Sequence, residues 1–485
     1  MVFSSPIFLF AFLPVVLLGC IFRDIRLRNL WLLAFSLIFY AWGEVAFVFL
    51  MLGSTLLNYF LGQWIARETD SRQRKRALAM AIVLNVGVLA FFKYANFAVD
   101  NLNWILTSIG ITPVRAQAIR LPIGISFFTF HALSYVIDIY KRKWVSAKNP
   151  ADVALYIFFF PQLIAGPILR WNAIAPQIEN RNQTVEQFAQ GVRRFVGGLA
   201  KKVLIANVVA GPADEIFGIS ANGQNLGVGL AWLGALCYVL QIYFDFSGYS
   251  DMAIGLGKMF GFEFTENFNY PYVSQSIRDF WRRWHISLSS WFRDYVYIPL
   301  GGNRCSNARN HLNLLIVFFL CGLWHGASWT FVIWGLYQGF FIMLEHAGFR
   351  LLLDRIPRPL RHLYALLIII VGWVLFRAPT FSDAIAYLMN MIGIHSGQIA
   401  FKPLDSVLTH QVTLSILAGF AFSMPLWPGL KQLGFRVLEM LPNAWRAAAR
   451  YGGAFAETAL TIALLVICAA WLAGGTYNPF IYFRF

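Results

Sequence analysis

The stretch CGLWHGASWTFVIWGLYQG, residues 321–339, is apolar enough for a membrane-buried helix, yet it contains the ionisable ring of His325 beside Trp324. An ionised side chain at the centre of a bilayer costs about 2.5–3.5 kcal/mol on insertion scales, so such residues are functional candidates. A neutral imidazole keeps one acceptor nitrogen, as a general base requires. On a continuous helix, Ser328 and Trp329 would share a face with it. A packing histidine, hydrogen-bonded to a neighbouring helix, is the alternative.

The composition of the whole chain supports a membrane interpretation. Of its 485 residues, 58% are hydrophobic and only 13% are charged, whereas soluble domains carry about 25% charged residues. The formal net charge of +16 fits Lys and Arg gathered in cytoplasmic loops that face anionic lipid, rather than nucleic-acid binding. The sequence therefore predicts an all-α polytopic membrane protein.

Basic loops at 22–29, 67–76 and 141–148 agree with one topology, in which all three are cytoplasmic. The apolar segments between them predict spans that turn at Gly43-Glu44, and an outer segment that ends near residue 120. Later spans are expected near 363–377, 410–427 and 455–474. With half-crossings included, the sequence predicts roughly eleven or twelve crossings.

Two central segments depart from simple spans. Residues 152–171 are apolar but contain Pro161 and Pro167, and basic segments flank them on both sides. Such a segment is predicted to be re-entrant, since broken backbone is tolerated where protein buries it. Residues 181–202 predict an amphipathic helix on the inner surface, with its basic side chains toward headgroups: Arg193, Arg194, Lys201 and Lys202.

The polar region 243–310 is expected at the cytoplasmic face. His285 follows Arg282 and Arg283 there, and these side chains would attract an anionic ligand such as a nucleotide diphosphate. An interfacial belt of aromatic and arginine side chains is the alternative. Asp245 and Asp251 would pair with the arginines between 278 and 293, or bind a cation as in a transporter.

Several signatures are absent from the sequence. It contains no GxxxxGK[ST] phosphate loop, no GxSxG elbow and no HExxH, and its five cysteines include no CxxC pair. Covalent serine catalysis and a metal site are therefore not expected. The sequence also has no internal repeat of the kind that marks many secondary transporters, so a transporter or flippase remains only as the alternative from a different class.

Together, six motifs resemble the membrane-bound O-acyltransferase family, in its bacterial branch that modifies polysaccharides. They are MVFSSPIFLFAFLP (1–14), LPIGISFFTFHALSYVIDIYK (121–141), FFPQLIAGPILR (159–170), FDFSGYSDMAIGLGKMFGFEFTENFNYPY (244–272), FWRRWHISLSSWFRDYVYIPLGG (280–302) and CGLWHGASWTFVIWGLYQG (321–339). The resemblance implies a ring of tilted transmembrane and re-entrant helices around a central tunnel. It also implies a single domain over 1–485, with the signature core at about 121–390 and additional spans over 391–485.

The resemblance assigns roles to individual residues. His325 matches the active-site histidine of the family and is expected to act as general base. His285 matches the second signature position, which is Asn in many eukaryotic relatives, and is expected to position substrates or to contact the oxyanion or the donor. Donor-binding residues are expected among Arg282, Arg283, Arg293, Trp324 and Ser328.

The implied reaction is transfer of an acetyl group from a cytoplasmic thioester, acetyl-CoA or less readily an acyl carrier protein, through the bacterial inner membrane. The expected acceptor is an exported polysaccharide such as alginate, reached directly or through a periplasmic SGNH-type partner beside a polysaccharide export and synthase complex. Cellulose or another cell-envelope polymer is the alternative acceptor. No bound cofactor or metal is expected.

Overall fold

The computed structural model describes residues 1–394, 398–400 and 402–475. Within these residues the chain is helical, and its only β-type pairing is a single bridge between Asn225 and Ile399. The predicted all-α class is confirmed.

The helices follow one another in four groups. The first contains α1 Leu13–Leu17, α2 Ile25–Arg67, α3 Ser71–Ser108 and α4 Ile125–Tyr140. The second contains α5 Pro150–Phe158, α6 Phe160–Leu163, α7 Trp171–Glu179, α8 Val185–Ala200, α9 Asn207–Ala221 and α10 Val228–Met259. The third contains α11 Ile277–Arg283, α12 Ile286–Phe292, α13 Asn307–His325, α14 Trp329–Leu344, α15 Arg350–Leu353 and α16 Arg358–Arg377. The last contains α17 Phe381–Met391, α18 Leu404–Val407, α19 His410–Phe422, α20 Leu426–Met440 and α21 Asn443–Ala473.

Short turns of other helix types extend several of these elements. The π-helical turns are Phe8–Phe12, Lys201–Ala206, Arg293–Tyr297 and Glu345–Phe349, and the 3-10 turns are Leu18–Ile21 and Pro271–Val273.

The described residues contain six helices long and apolar enough to cross a membrane: Ile25–Arg67, Ser71–Ser108, Val185–Ala221, Val228–Met259, Arg358–Arg377 and Trp445–Ala473. Three shorter apolar helices cover Phe8–Ile21, Ile125–Tyr140 and His410–Phe422. The protein is therefore multi-pass. Much of the remaining apolar chain lies in short, broken helices.

Helix α2 reverses direction at Glu44, whose φ of −142° and ψ of 54° leave the helical region. A straight helix of this length would extend roughly 65 Å. Instead, Asn29 Nδ2 donates to the Ile178 carbonyl at 2.9 Å, and Gln63 Nε2 donates to the Ala147 carbonyl at 2.6 Å. The two acceptors lie at the two ends of residues 147–178, and an ion pair between Lys148 and Glu179 joins those ends. Both arms of α2 therefore end on the same side of the protein. The predicted turn is confirmed.

The broken segment is the predicted re-entrant one. Helix α5 stops at Phe159, where ψ changes to 109°, and α6 adds only one turn. The chain then runs without helix to α7, and the side chains of this passage are buried. An ion pair of 3.5 Å between Lys148 and Glu179 joins the two ends of the segment. The chain therefore enters and leaves on one side, and the prediction is confirmed.

Helix α8 is amphipathic, as predicted, but one of its faces packs against α10. The predicted orientation of the basic side chains of 181–202 toward headgroups is wrong, because most of them pair with α10. The two backbones approach closely at glycines: a Cβ on Gly198 would lie 2.5 Å from the Gly248 carbonyl oxygen, and one on Gly191 would lie 2.7 Å from that of Gly255. Small residues permit such close helix contacts in membranes. The sequence suggested a surface helix because it shows the basic residues but not their partners.

Those partners are the carboxylates of α10. Asp245 lies 2.7 Å from Lys202 Nζ, while Asp251 lies 2.6 Å from Lys201 Nζ and 2.7 Å from an Arg194 nitrogen. The predicted pairing of both aspartates with arginines 278–293 is therefore wrong. The reason is that α10 continues as one helix to Met259, which turns both carboxylates toward α8.

Candidate active site

His325 is the last residue of α13. Gly326 is extended, with φ −165° and ψ 156°, and Ser328 begins α14 by accepting a hydrogen bond from the Thr330 amide at 3.2 Å. The prediction of a continuous helix with Ser328 and Trp329 beside His325 is wrong. Gly326 and the capping serine permit the break, and they leave the imidazole at a helix end.

Aromatic rings enclose the His325 side chain, which is 8% exposed. Its ring centroid lies 4.7 Å from that of Trp324, 5.0 Å from that of Trp334 and 5.1 Å from that of Phe376. Neither ring nitrogen forms a hydrogen bond with any part of the chain that the structure describes. Both ring nitrogens are therefore available to a substrate, as a general base requires.

A cavity of about 220 Å³ gives His325 access to the exterior. Its inner end is formed by His325 and Trp324. Its far end carries Glu44 and Arg120, whose side chains form an ion pair of 2.9 Å. The arginine is exposed and the glutamate buried, so the ion pair lies at the mouth. The turn before α4 and the start of that helix supply much of the wall, from residue 120 to residue 127.

Lys93 also lines this cavity, and sequence reasoning missed it. Its ammonium donates to the Trp324 carbonyl, and the hydroxyl of Tyr94 donates to the Leu323 carbonyl. Helix α3 runs to Ser108, and Lys93 is one of the few buried residues along it. The signal was present in FFKYANF (91–97), where one lysine interrupts an aromatic run.

His285 approaches the same place from the other side. Its ring is fully buried and lies 6.1 Å from the Trp324 ring and 4.6 Å from the Phe246 ring, measured between centroids. The residue joins α11 to α12 in a left-handed conformation, with φ 43° and ψ 54°. The structure therefore brings both signature histidines to Trp324.

The partners of His285 settle its tautomer. Nδ1 lies 3.1 Å from Asn267 Oδ1, which also accepts hydrogen bonds from the amide and the hydroxyl of Ser287 at 3.2 and 2.9 Å. Because Oδ1 is an acceptor, Nδ1 carries the proton of the neutral ring, and Nε2 is left with a lone pair. Nε2 has no hydrogen-bond partner among the described residues. A neutral His285 thus offers an acceptor and no N–H donor at this nitrogen.

The predicted arginines lie outside the cavity. Arg282 is exposed, Arg283 pairs with Asp279 at 3.0 Å, and Arg293 pairs with Asp294 at 2.7 Å. They occupy the α11–α12 side, within eight residues of His285. Of the seven predicted site residues, the structure places His325 and Trp324 on the cavity and His285 behind Trp324. The three arginines and Ser328 do not line it.

The electrostatics of the arginine side are dominated by ion pairs. The Asp294 carboxylate also forms an ion pair of 2.5 Å with the Arg170 guanidinium. Burial alone would raise the pKa of Asp294, but hydrogen bonds and positive charge from Arg293 and Arg170 outweigh it and hold that pKa below its ordinary value.

A multi-pass helical fold with a buried histidine on an open cavity fits a membrane enzyme. Residues 76–381 match the family model of the membrane-bound O-acyltransferases. The chain belongs to this family and is an acyltransferase, as predicted.

The chain is also similar in sequence to individual proteins. The chain is 42% identical, over the full length of both proteins, to a probable alginate O-acetylase of Azotobacter vinelandii. It is 38% identical to a peptidoglycan O-acetyltransferase of Helicobacter pylori, over 81% of this chain and 80% of that protein. It is 27% identical to a teichoic acid D-alanyltransferase of Streptococcus thermophilus, over 51% of this chain and 62% of that protein.

Proposed function

We propose that this protein is a membrane O-acetyltransferase of the bacterial inner membrane. It transfers an acetyl group from cytoplasmic acetyl-CoA to an exported polysaccharide, with alginate as the first candidate. The observation that carries the proposal is the free imidazole of His325 at the inner end of a cavity whose mouth is the Glu44–Arg120 ion pair. Full-length identity to a probable alginate O-acetylase supports this acceptor class.

The topology supports an acceptor role for the cavity. The basic loops 67–76 and 141–148 are cytoplasmic by the positive-inside rule, and Glu44 and Arg120 lie at the other ends of the helices that leave those loops. The cavity mouth therefore faces outward, where an exported polymer arrives. The α11–α12 side lies opposite and faces the donor.

In the proposed reaction, His325 takes the proton of the acceptor hydroxyl as its oxygen attacks the thioester carbonyl carbon. A tetrahedral oxyanion forms and then collapses, the C–S bond breaks, and the imidazolium returns the proton to the leaving thiolate. A positioned general base contributes about 10²- to 10⁴-fold, and holding both reactants in one enclosed site contributes further through proximity. The free Nε2 of His285 lies on the donor side of Trp324, where it can accept a hydrogen bond from a substrate.

The donor is proposed from the charge of the α11–α12 side. Arg282 is exposed there without an ion pair to any described residue, beside Arg283 and Arg293. Guanidinium groups bind phosphate through several donors, so the phosphates of CoA are placed at this surface. An acyl carrier protein is the competing donor, and the two are separated by comparing [¹⁴C]acetyl-CoA with acetylated carrier protein as substrates.

The partners are proposed from the resemblance to the bacterial branch of the family that modifies polysaccharides. A periplasmic SGNH-type acetyltransferase, working beside the polysaccharide export and synthase complex, either receives the acetyl group on a serine or is bypassed by direct transfer to sugar. Radiolabel retained on a purified partner after denaturation identifies the first route. Label found only on polymer identifies the second.

The base assignment is tested in proteoliposomes with [¹⁴C]acetyl-CoA outside and candidate polymers inside, using protein oriented with its cytoplasmic face outward. His325→Ala is expected to lower acetyl transfer by at least about 100-fold. His410→Ala, an exposed histidine at the start of α19, serves as the matched control and should leave transfer unchanged. A folded His325→Ala protein with wild-type transfer would refute the proposal. Acetylation of cellulose but not alginate would replace only the acceptor.

A further inference from the structure

Lys93 is a buried basic residue that the reaction described so far does not use. It is 8% exposed and lines the cavity that ends at His325. Its visible contact is a hydrogen bond to the carbonyl of Trp324, the residue before His325. Its ammonium also lies 5.9 Å from the centroid of the Trp324 ring. The charge is thus fixed beside the base.

The cavity leaves this charge uncompensated. Its carboxylate, Glu44, already pairs with Arg120 at 2.9 Å. Within the part of the chain that the structure describes, no carboxylate lies within 4.0 Å of Lys93 Nζ. A buried ammonium without a counter-ion is costly, and a membrane protein that keeps one is expected to use it. A negative charge that enters the cavity would stabilise the ammonium form of Lys93.

Capping the end of α13 does not account for the charge. The last carbonyls of a helix lack intrahelical partners, and both Lys93 and Tyr94 satisfy one of them. Tyr94 does so with a neutral hydroxyl at the preceding carbonyl, that of Leu323. Since a neutral donor suffices at one position, a helix cap at the next position does not require a cation.

The reaction does require a cation, or an equivalent donor, at this place. Attack on a thioester puts a full negative charge on the carbonyl oxygen, and donors preorganised for that oxygen are usually the largest catalytic contribution. His285 cannot supply the N–H while neutral, because its buried Nε2 carries the lone pair. Lys93 has three N–H groups, and the Trp324 carbonyl occupies one of them.

We propose that Lys93 is the oxyanion-stabilising residue of the acyl transfer. When the acceptor oxygen attacks, the carbonyl π electrons move to the oxygen, and the ammonium holds that anion by hydrogen bonding and charge. When the oxyanion collapses, the carbonyl re-forms and the C–S bond breaks, while Lys93 keeps its protons throughout. The hydrogen bond to Trp324 fixes the ammonium relative to His325. This inference rests on the acyl transfer proposed above.

The experiment compares Lys93→Met with Tyr94→Phe in the full-length protein. Both substitutions remove one cap from the end of α13, but only the first removes a charge. Steady-state acetyl transfer from acetyl-CoA is expected to fall about 10²- to 10³-fold in kcat for Lys93→Met, with little change in KM for acetyl-CoA. Tyr94→Phe should lose less than about tenfold. An equal loss in the two variants would overturn the proposal, because it would reduce Lys93 to a helix cap.

A second measurement separates the oxyanion from acceptor recognition. Slow hydrolysis of acetyl-CoA without any polymer passes through the same oxyanion but needs no polymer contact. Lys93→Met should slow this hydrolysis by the same factor as transfer. Hydrolysis at the wild-type rate, with a raised KM for a uronate polymer, would overturn the oxyanion role in favour of a contact to the acceptor carboxylate.

Two further measurements apply if the Lys93→Met protein does not fold or if the wild-type protein shows no acetyl transfer. Lys93→Gln keeps an N–H donor for the Trp324 carbonyl without the charge, so it replaces Lys93→Met if that variant fails to insert. The proposal requires the same loss in kcat, and a Lys93→Gln protein with wild-type turnover would overturn it. Wild-type protein that transfers no acetyl group from acetyl-CoA contradicts the proposed function instead.

Discussion

Among the residues that the structure describes, two lysines are buried, and their surroundings are opposite. Lys202, 2% exposed, lies 2.7 Å from the Asp245 carboxylate at the α8–α10 contact. Lys93, 8% exposed, donates to a backbone carbonyl beside His325. In the first region the positive charge is neutralised by the protein itself, and the surrounding glycines fit two backbones together. In the second it is left for a ligand. The difference distinguishes the scaffold of this enzyme from its reaction site.

The largest effect should come from breaking the compensated pair. Lys202→Met leaves Asp245 buried without its ammonium, and loss of one partner of a buried pair costs about 3–5 kcal/mol. Lys93→Met leaves no buried charge behind and removes one hydrogen bond, a cost of about 1 kcal/mol. The midpoint of thermal unfolding in detergent should therefore fall strongly for Lys202→Met and only slightly for Lys93→Met.

The double variant Lys202→Met/Asp245→Leu is the control for this pair, since it removes both charges and should recover most of the lost stability. If Lys93→Met proved as unstable as Lys202→Met, the two lysines would both be structural and the distinction would fail.

Substitution of adjacent glycines in α8 should give the next largest effect. A Cβ at Gly198 would lie 2.5 Å from the Gly248 carbonyl oxygen, whereas one at Gly197 meets no atom within 4 Å. Gly198→Ala should cost about 1–3 kcal/mol through overpacking. Gly197→Ala should be neutral or stabilising by up to about 1 kcal/mol, because alanine favours helix. Unfolding midpoints measure both, and equal midpoints would mean that α8 is not tightly packed on α10.

An effect on activity is expected from the residue that orients His285. Asn267→Leu removes the Oδ1 atom that fixes Nδ1 as the donor and that also accepts from the amide and hydroxyl of Ser287. A buried hydrogen bond is worth about 1–3 kcal/mol, so losing the one to His285 should slow acetyl transfer by roughly 10- to 100-fold in protein that remains folded. Asn269→Leu, two residues away and exposed, is the control. Unchanged transfer in Asn267→Leu would show that the His285 tautomer does not matter.

The smallest effect is expected at the ion pairs that Asp294 forms with Arg170 and Arg293, and it depends on pH. The pKa of Asp294 is held below its ordinary value by Arg293 and Arg170 against the effect of burial, so its contribution to stability is complete above the ordinary aspartate pKa and is lost as the pH falls through the lowered one. Asp294→Asn should cost about 1 kcal/mol at neutral pH, and this difference from wild type should vanish in acid. The exposed Asp100, which forms no ion pair with any described residue, provides the control, since Asp100→Asn should leave the unfolding midpoint unchanged at both pH values.

Much of this arrangement could be predicted from the sequence because it depends on local features. Loop charges placed the turn at Glu44, prolines between basic flanks indicated the re-entrant segment, and an ionisable ring in an apolar run indicated His325. The helix break after His325 was missed, although Gly326 and Ser328 carry its signal.

Long-range partners could not be predicted. Whether Asp245 faces Lys202 or an arginine depends on the rotation of α10 about its axis, which is set by glycine contacts with α8 rather than by any nearby residue. Lys93 was overlooked for a related reason. Its side chain contacts the carbonyl of Trp324, which is 231 residues away in the sequence, so the contact is visible only in the folded chain.

The backbone at His285 has a consequence for how that residue can be replaced. With φ at 43°, the position excludes β-branched residues and favours glycine and asparagine, which adopt this conformation most easily. His285→Ala therefore mixes loss of the imidazole with conformational strain. His285→Asn removes the ring while retaining a side chain suited to the left-handed turn, so the main chain, and not only the chemistry, restricts which residues this signature position accepts.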